Sequence, residues 1–96
     1  PNSIRPHLEG EAEIFVLNEK EGGRHKPFGA GYTPQFYFGA ADVPGVLSFD
    51  QELINPGERA TVRFSLLRPV AIEPGMRFAM REGSRTVGAG VITEVD

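Results

Sequence analysis

The sequence predicts an all-β fold, a six-stranded closed antiparallel β-barrel, on three observations. Short apolar runs alternate at period two, glycine and proline stand between them as punctuation, and no run has helical periodicity. Glu11 to Leu17 opens the series: Ala12, Ile14 and Val16 recur on one face and Glu11 and Glu13 on the other, which reads as a half-buried strand. Gln35 to Phe38 follows, an aromatic stretch with strong strand preference, and then Val46 to Phe49. The alternation is cleanest in Arg59 to Leu67, where Ala60, Val62, Phe64 and Leu66 face one way and Thr61, Arg63 and Ser65 the other. Pro56-Gly57 and Pro74-Gly75 read as turns, Pro69 holds Arg68 extended, and no proline falls inside a predicted strand.

The last two runs, Arg77 to Glu82 and Arg85 to Val95, flank Gly83-Ser84, a hairpin loop of type II′, or of type I′ with Ser84 strained. With Glu82 opposite Arg85, Arg81 faces Thr86, Met80 faces Val87 and Phe78 faces Ala89. That register turns Phe78, Met80, Val87 and Ala89 inward and leaves Arg77, Arg81 and Thr86 outward. One apolar face per strand favours closure, which removes exposed edges; a two-sheet sandwich is the alternative.

Ninety-six residues and 10.5 kDa allow a single domain over residues 1–96. Cysteine is absent, which excludes a disulfide scaffold and thiol chemistry. No apolar run approaches the ~18 residues of a membrane span, and the opening residues lack the apolar centre of a signal peptide, so a cytoplasmic chain without a membrane partner is expected. Opening on Pro1 in place of Met, the chain reads as a fragment or a processed product.

Ten basic residues against thirteen acidic ones give a formal charge of −3, which lacks the global signature of a nucleic-acid binder. A local patch is still open, because Arg24, His25 and Lys26 stand together and Arg77, Arg81 and Arg85 are close in sequence. The connection from Glu19 to Thr33 is long for so small a domain, and such loops usually have a use. Its Gly22-Gly23 pair beside basic residues lacks the spacing of a phosphate-binding loop. His7 and His25 are too few for a metal site, Ser48, Ser65 and Ser84 stand in no nucleophile elbow, and Glu11 and Glu13 lie on a solvent face. The residues therefore indicate a binding or docking barrel with no catalytic group, no metal and no cofactor of its own.

Five strings occur in order: EGGRH (Glu21 to His25), PQFYF (Pro34 to Phe38), PG (Pro56, Gly57), RFAMREG (Arg77 to Gly83) and RTVGAGV (Arg85 to Val91). Together they resemble the C-terminal domain of bacterial elongation factor Tu, over a stretch running from Pro6-His7 to Val95. The resemblance implies a six-stranded barrel within a three-domain factor that carries aminoacyl-tRNA to the ribosome in a GTP-dependent way. GTP and Mg would belong to the parent's G domain, whose phosphate-binding and base-reading motifs have no counterpart here, so this chain alone is not expected to be an enzyme. By the same resemblance Gln35, Arg68, Glu82 and Gly83 match positions that contact the tRNA T-stem backbone. Gly22 and Ala79 match positions at the seam with the G domain. The second domain of the parent and elongation factor Ts are further implied partners.

Some residues depart from the family pattern. Pro44 stands in Asp42-Val43-Pro44-Gly45 where the family usually has Thr, so a hydroxyl and a backbone N–H are both lost. Thr33 and Gly39 occupy positions that are basic in many relatives, and the segment between Gly45 and Pro56 is about two residues shorter. With the acidic balance, these departures keep open a second reading, a protein-docking barrel serving the G domain or an exchange factor with little tRNA binding.

Overall fold

The computed structural model describes residues 6–18, 20, 22–23, 26–39 and 41–96. Six strands follow in chain order: β1 (Pro6–Val16), β2 (Gln35–Tyr37), β3 (Asp42–Ser48), β4 (Arg59–Ala71), β5 (Arg77–Glu82) and β6 (Arg85–Val95). They close in the order β1-β4-β3-β2-β5-β6, with every neighbouring pair antiparallel and β6 returning to β1. Closure excludes the sandwich. The predicted alternation sets the interior: Ala12, Ile14 and Val16 from β1 and Ala60, Val62, Phe64 and Leu66 from β4 are all buried, beside Val43, Leu47, Phe36, Met80, Val87 and Ile92. Phe36 lies at the centre, stacked on Phe78 at 5.0 Å between ring centroids and tilted against Phe64 at 5.8 Å.

Inward-facing glycines make room for these rings, as small barrels require small residues opposite large ones. A Cβ on Gly45 would meet the Phe36 ring at 2.8 Å and Leu66 at 2.9 Å. The turns follow the sequence chemistry. Glu58 N donates to Asn55 O and Met76 N to Glu73 O, and Gly57 and Gly75 hold φ of 89° and 95°, the arrangement of a type II turn with Pro before Gly. At the β5–β6 hairpin Gly83 has φ 64° and no residue other than glycine has positive φ among the described residues, which selects type II′ over type I′.

Several boundaries and one register differ from the expectations. β1 begins at Pro6, five residues before the alternation becomes clear, β3 begins at Asp42, and β2 ends at Tyr37. Pro44 and Pro69 lie inside strands after all. The β3–β4 ladder runs from Gly45↔Leu66 to Ser48↔Arg63 and does not reach Pro44, and the β1–β4 ladder breaks between His7↔Val70 and Glu9↔Ser65, leaving Pro69 in the unpaired stretch. Neither proline is asked for a ladder N–H. In the hairpin Glu82↔Arg85 and Arg81↔Thr86 pair as expected, but a bulge between Met80 and Arg81 moves Met80 to Gly88 and Phe78 to Gly90. Ala89 consequently faces outward, and Val87 and Gly88 are both buried. A Cβ on Gly88 or Gly90 would meet Met80 or Phe78 at 2.6 Å, so the large side chains need a glycine opposite them.

Candidate nucleic-acid interface

The outward residues of β2 and its neighbours form one face. Gln35 stands opposite Pro44 on β3 and opposite Arg81 on β5, and Arg81 in turn stands opposite Thr86 on β6. Phe36, the next residue, points into the core, so the pleat of β2 forces Gln35 and Tyr37 outward together. One step beyond Arg81 come Glu82 and Gly83, both exposed, with Gly83 at the first turn position where positive φ is required. Glu82 accepts a hydrogen bond from the Tyr32 hydroxyl on Oε1 at 2.6 Å. On the far flank of β3 the exposed Arg68 guanidinium donates to the Asp42 carbonyl, which fixes it beside the start of that strand. The four residues singled out as tRNA contacts therefore lie on β4, β2 and the β5 end of the hairpin, with β3 between Arg68 and Gln35.

Two cationic side chains of this face differ in their surroundings. Arg68 is exposed and spends one of its five N–H donors on Asp42, leaving four open to further acceptors. Arg81 is half-buried, and its Nε is enclosed without a hydrogen-bond partner among the described residues. Its place opposite Thr86 follows from the predicted hairpin register, whereas its pairing with Gln35 comes only with closure of the barrel. Tyr32 was not anticipated, because its contact with Glu82 spans fifty residues and no local pattern encodes it.

Gly22 and Ala79 belong to different segments of the chain, a connection and a strand. Ala79 is half-buried in the outer row between Tyr37 on β2 and Ala89 on β6, two residues from Arg81 on the same strand. Gly22 is exposed, with φ 87°, in the connection that leaves β1; there Leu17 N donates to Val87 O and Gly23 N to Asn18 O. The Arg24 and His25 part of the basic cluster lies outside the described residues.

The rest of that long connection is anchored. Phe28 and Ile54 exchange backbone hydrogen bonds at 3.1 and 2.9 Å and are both buried. Leu47 N donates to Tyr32 O at 2.9 Å and Gly45 N to Pro34 O at 3.1 Å, so residues 32–34 already run alongside β3 ahead of the start of β2. Among the described residues no group of three or more His, Asp or Glu side chains is arranged to hold a metal ion, and no helix is long and apolar enough to cross a membrane.

Comparison with known families agrees with this architecture. The profile described as elongation factor Tu C-terminal domain matches residues 3–96, nearly the whole chain. By that match and by its closed six-stranded barrel, the protein belongs to the elongation factor Tu C-terminal domain family and is a domain of a translation elongation factor.

Proposed function

We propose that this barrel is the C-terminal domain of a three-domain cytoplasmic factor and that it grips the T-stem backbone of aminoacyl-tRNA during delivery to the ribosome. The observation that carries the reading is the single outer face on which Gln35, Arg68, Glu82 and Gly83 are collected. Each supplies a group suited to RNA backbone. Arg68 offers a cation for phosphate, Gln35 a donor and an acceptor, Gly83 an N–H with no side chain in the way, and Glu82 an acceptor for a ribose 2′-hydroxyl. Such contacts do not read base sequence, as a carrier of many tRNAs requires. Pro44, directly opposite Gln35, has neither hydroxyl nor N–H, so Gln35 and the hairpin carry more of the grip here.

The net charge of −3 is compatible with this role, because backbone recognition needs a few donors on one face, not a basic domain. Gly22 and Ala79 belong in this reading to the surface that meets the parent's G domain, which holds GTP and Mg; the parent's second domain and elongation factor Ts are its other protein partners. The test is aminoacyl-tRNA binding by the full-length factor carrying this domain, at several salt concentrations. Arg68→Ala should weaken binding and reduce the slope of log affinity against log salt by about one, the loss of one phosphate contact. Equal affinity and equal slope would remove Arg68 from the interface. Failure of the unaltered factor to bind aminoacyl-tRNA would favour the protein-docking reading.

A further inference from the structure

We propose that Tyr32 is a positioning residue that orients the Glu82 carboxylate for a ribose 2′-hydroxyl, an inference that rests on reading Glu82 as a T-stem contact. Glu82 ends β5 at an exposed hairpin, where a glutamate side chain by itself samples many rotamers that RNA binding would have to freeze. The Tyr32 hydroxyl donates to Oε1 at 2.6 Å, within the short range of a charge-assisted O–H···O⁻ bond. A carboxylate has about four acceptor directions, and the Tyr32 hydroxyl occupies one of them.

The direction of the effect follows from which partner is fixed. The Tyr32 ring stacks on Phe28 with centroids 4.3 Å apart and planes 27° apart, and Phe28 is buried, packs edge-on to Phe49 at 6.1 Å and is bridged to Ile54. Tyr32 is also held through its backbone, with its carbonyl accepting from Leu47 N and its N–H donating to Gly29 O at 3.3 Å. The hydroxyl is thus delivered by a packed aromatic group, whereas the carboxylate belongs to the exposed last residue of β5, beside the two-residue turn. This gives the long connection a use: it carries a rigid donor from the end of β1 to the hairpin at the other end of the sequence.

The experiment uses the full-length factor with aminoacyl-tRNA and with the same tRNA carrying deoxyribose through its T stem. Tyr32→Phe keeps the stacked ring and removes only the hydroxyl. The unaltered factor should bind the deoxy tRNA about threefold to tenfold more weakly, the scale of one lost hydrogen bond. Tyr32→Phe and Glu82→Ala should each weaken binding to the all-ribose tRNA and shrink that deoxy penalty, and the double variant should bind no more weakly than Glu82→Ala alone. If Glu82→Ala removes the penalty while Tyr32→Phe leaves it intact, or if the two losses add in full, the positioning role is overturned and the reading of Glu82 stands. If Glu82→Ala leaves the penalty unchanged, the ribose reading of Glu82 itself falls.

Discussion

Around β1 the barrel wall is made of strands of 11, 13 and 11 residues, whereas around β2 a strand of three residues must join β3 to β5. The long wall is held by its ladders, interrupted by bulges. The short wall is completed by other means: the backbone of residues 32–34 running beside β3, Arg68 on the Asp42 carbonyl, and Tyr32 on Glu82. All four candidate RNA contacts lie on or beside this short wall. Where the ladder gives out, side chains must hold the strands in place, and the same polar groups then stand at the surface with capacity for a ligand.

If the short wall depends on side chains in place of ladder, its single inward residue should matter most. Phe36 is fully buried against Phe64 and Phe78, and Phe36→Ala should cost about 3–5 kcal/mol in urea unfolding. Stability close to wild type would mean that the β2 wall is held from elsewhere. Next in size is the turn. Gly83 alone carries positive φ in the hairpin loop, so Gly83→Ala should lower stability by about 1–2 kcal/mol, read as a shift in the thermal midpoint. The smallest effect belongs to the long wall. Arg63 pairs with Asp96 in the open, with the two side chains 46% and 44% exposed, so Arg63→Ala should cost at most about 1 kcal/mol. It should also leave tRNA affinity and its salt slope unchanged, in contrast to Arg68→Ala. A reduced slope for Arg63→Ala would show that the RNA surface extends across β4 and that the two walls are not functionally distinct.

Much of this architecture was legible residue by residue. The alternation in Ala60, Val62, Phe64 and Leu66, the Pro-Gly turns at 56–57 and 74–75 and the Gly83 hairpin all appear where period and turn chemistry put them. The hairpin register was only half legible: Glu82↔Arg85 follows from the loop, but the bulge that moves Met80 onto Gly88 arises from packing inside the barrel, which no two-strand argument contains. For the site, the resemblance in PQFYF and RFAMREG singled out Gln35, Glu82 and Gly83, whereas the enclosed Nε of Arg81 and the Tyr32 hydroxyl on Glu82 come from residues that meet only across the barrel.

Period, turn type and composition are local properties, and they are enough to require strands, tight turns and a core of this size. Which strands become neighbours, where a proline can sit without losing a ladder bond, and which hydroxyl reaches which carboxylate depend on closure. Pro44 illustrates the division: it falls outside the strand predicted from the sequence, yet it lies within β3, where the β4 ladder ends one residue away and asks nothing of its missing N–H.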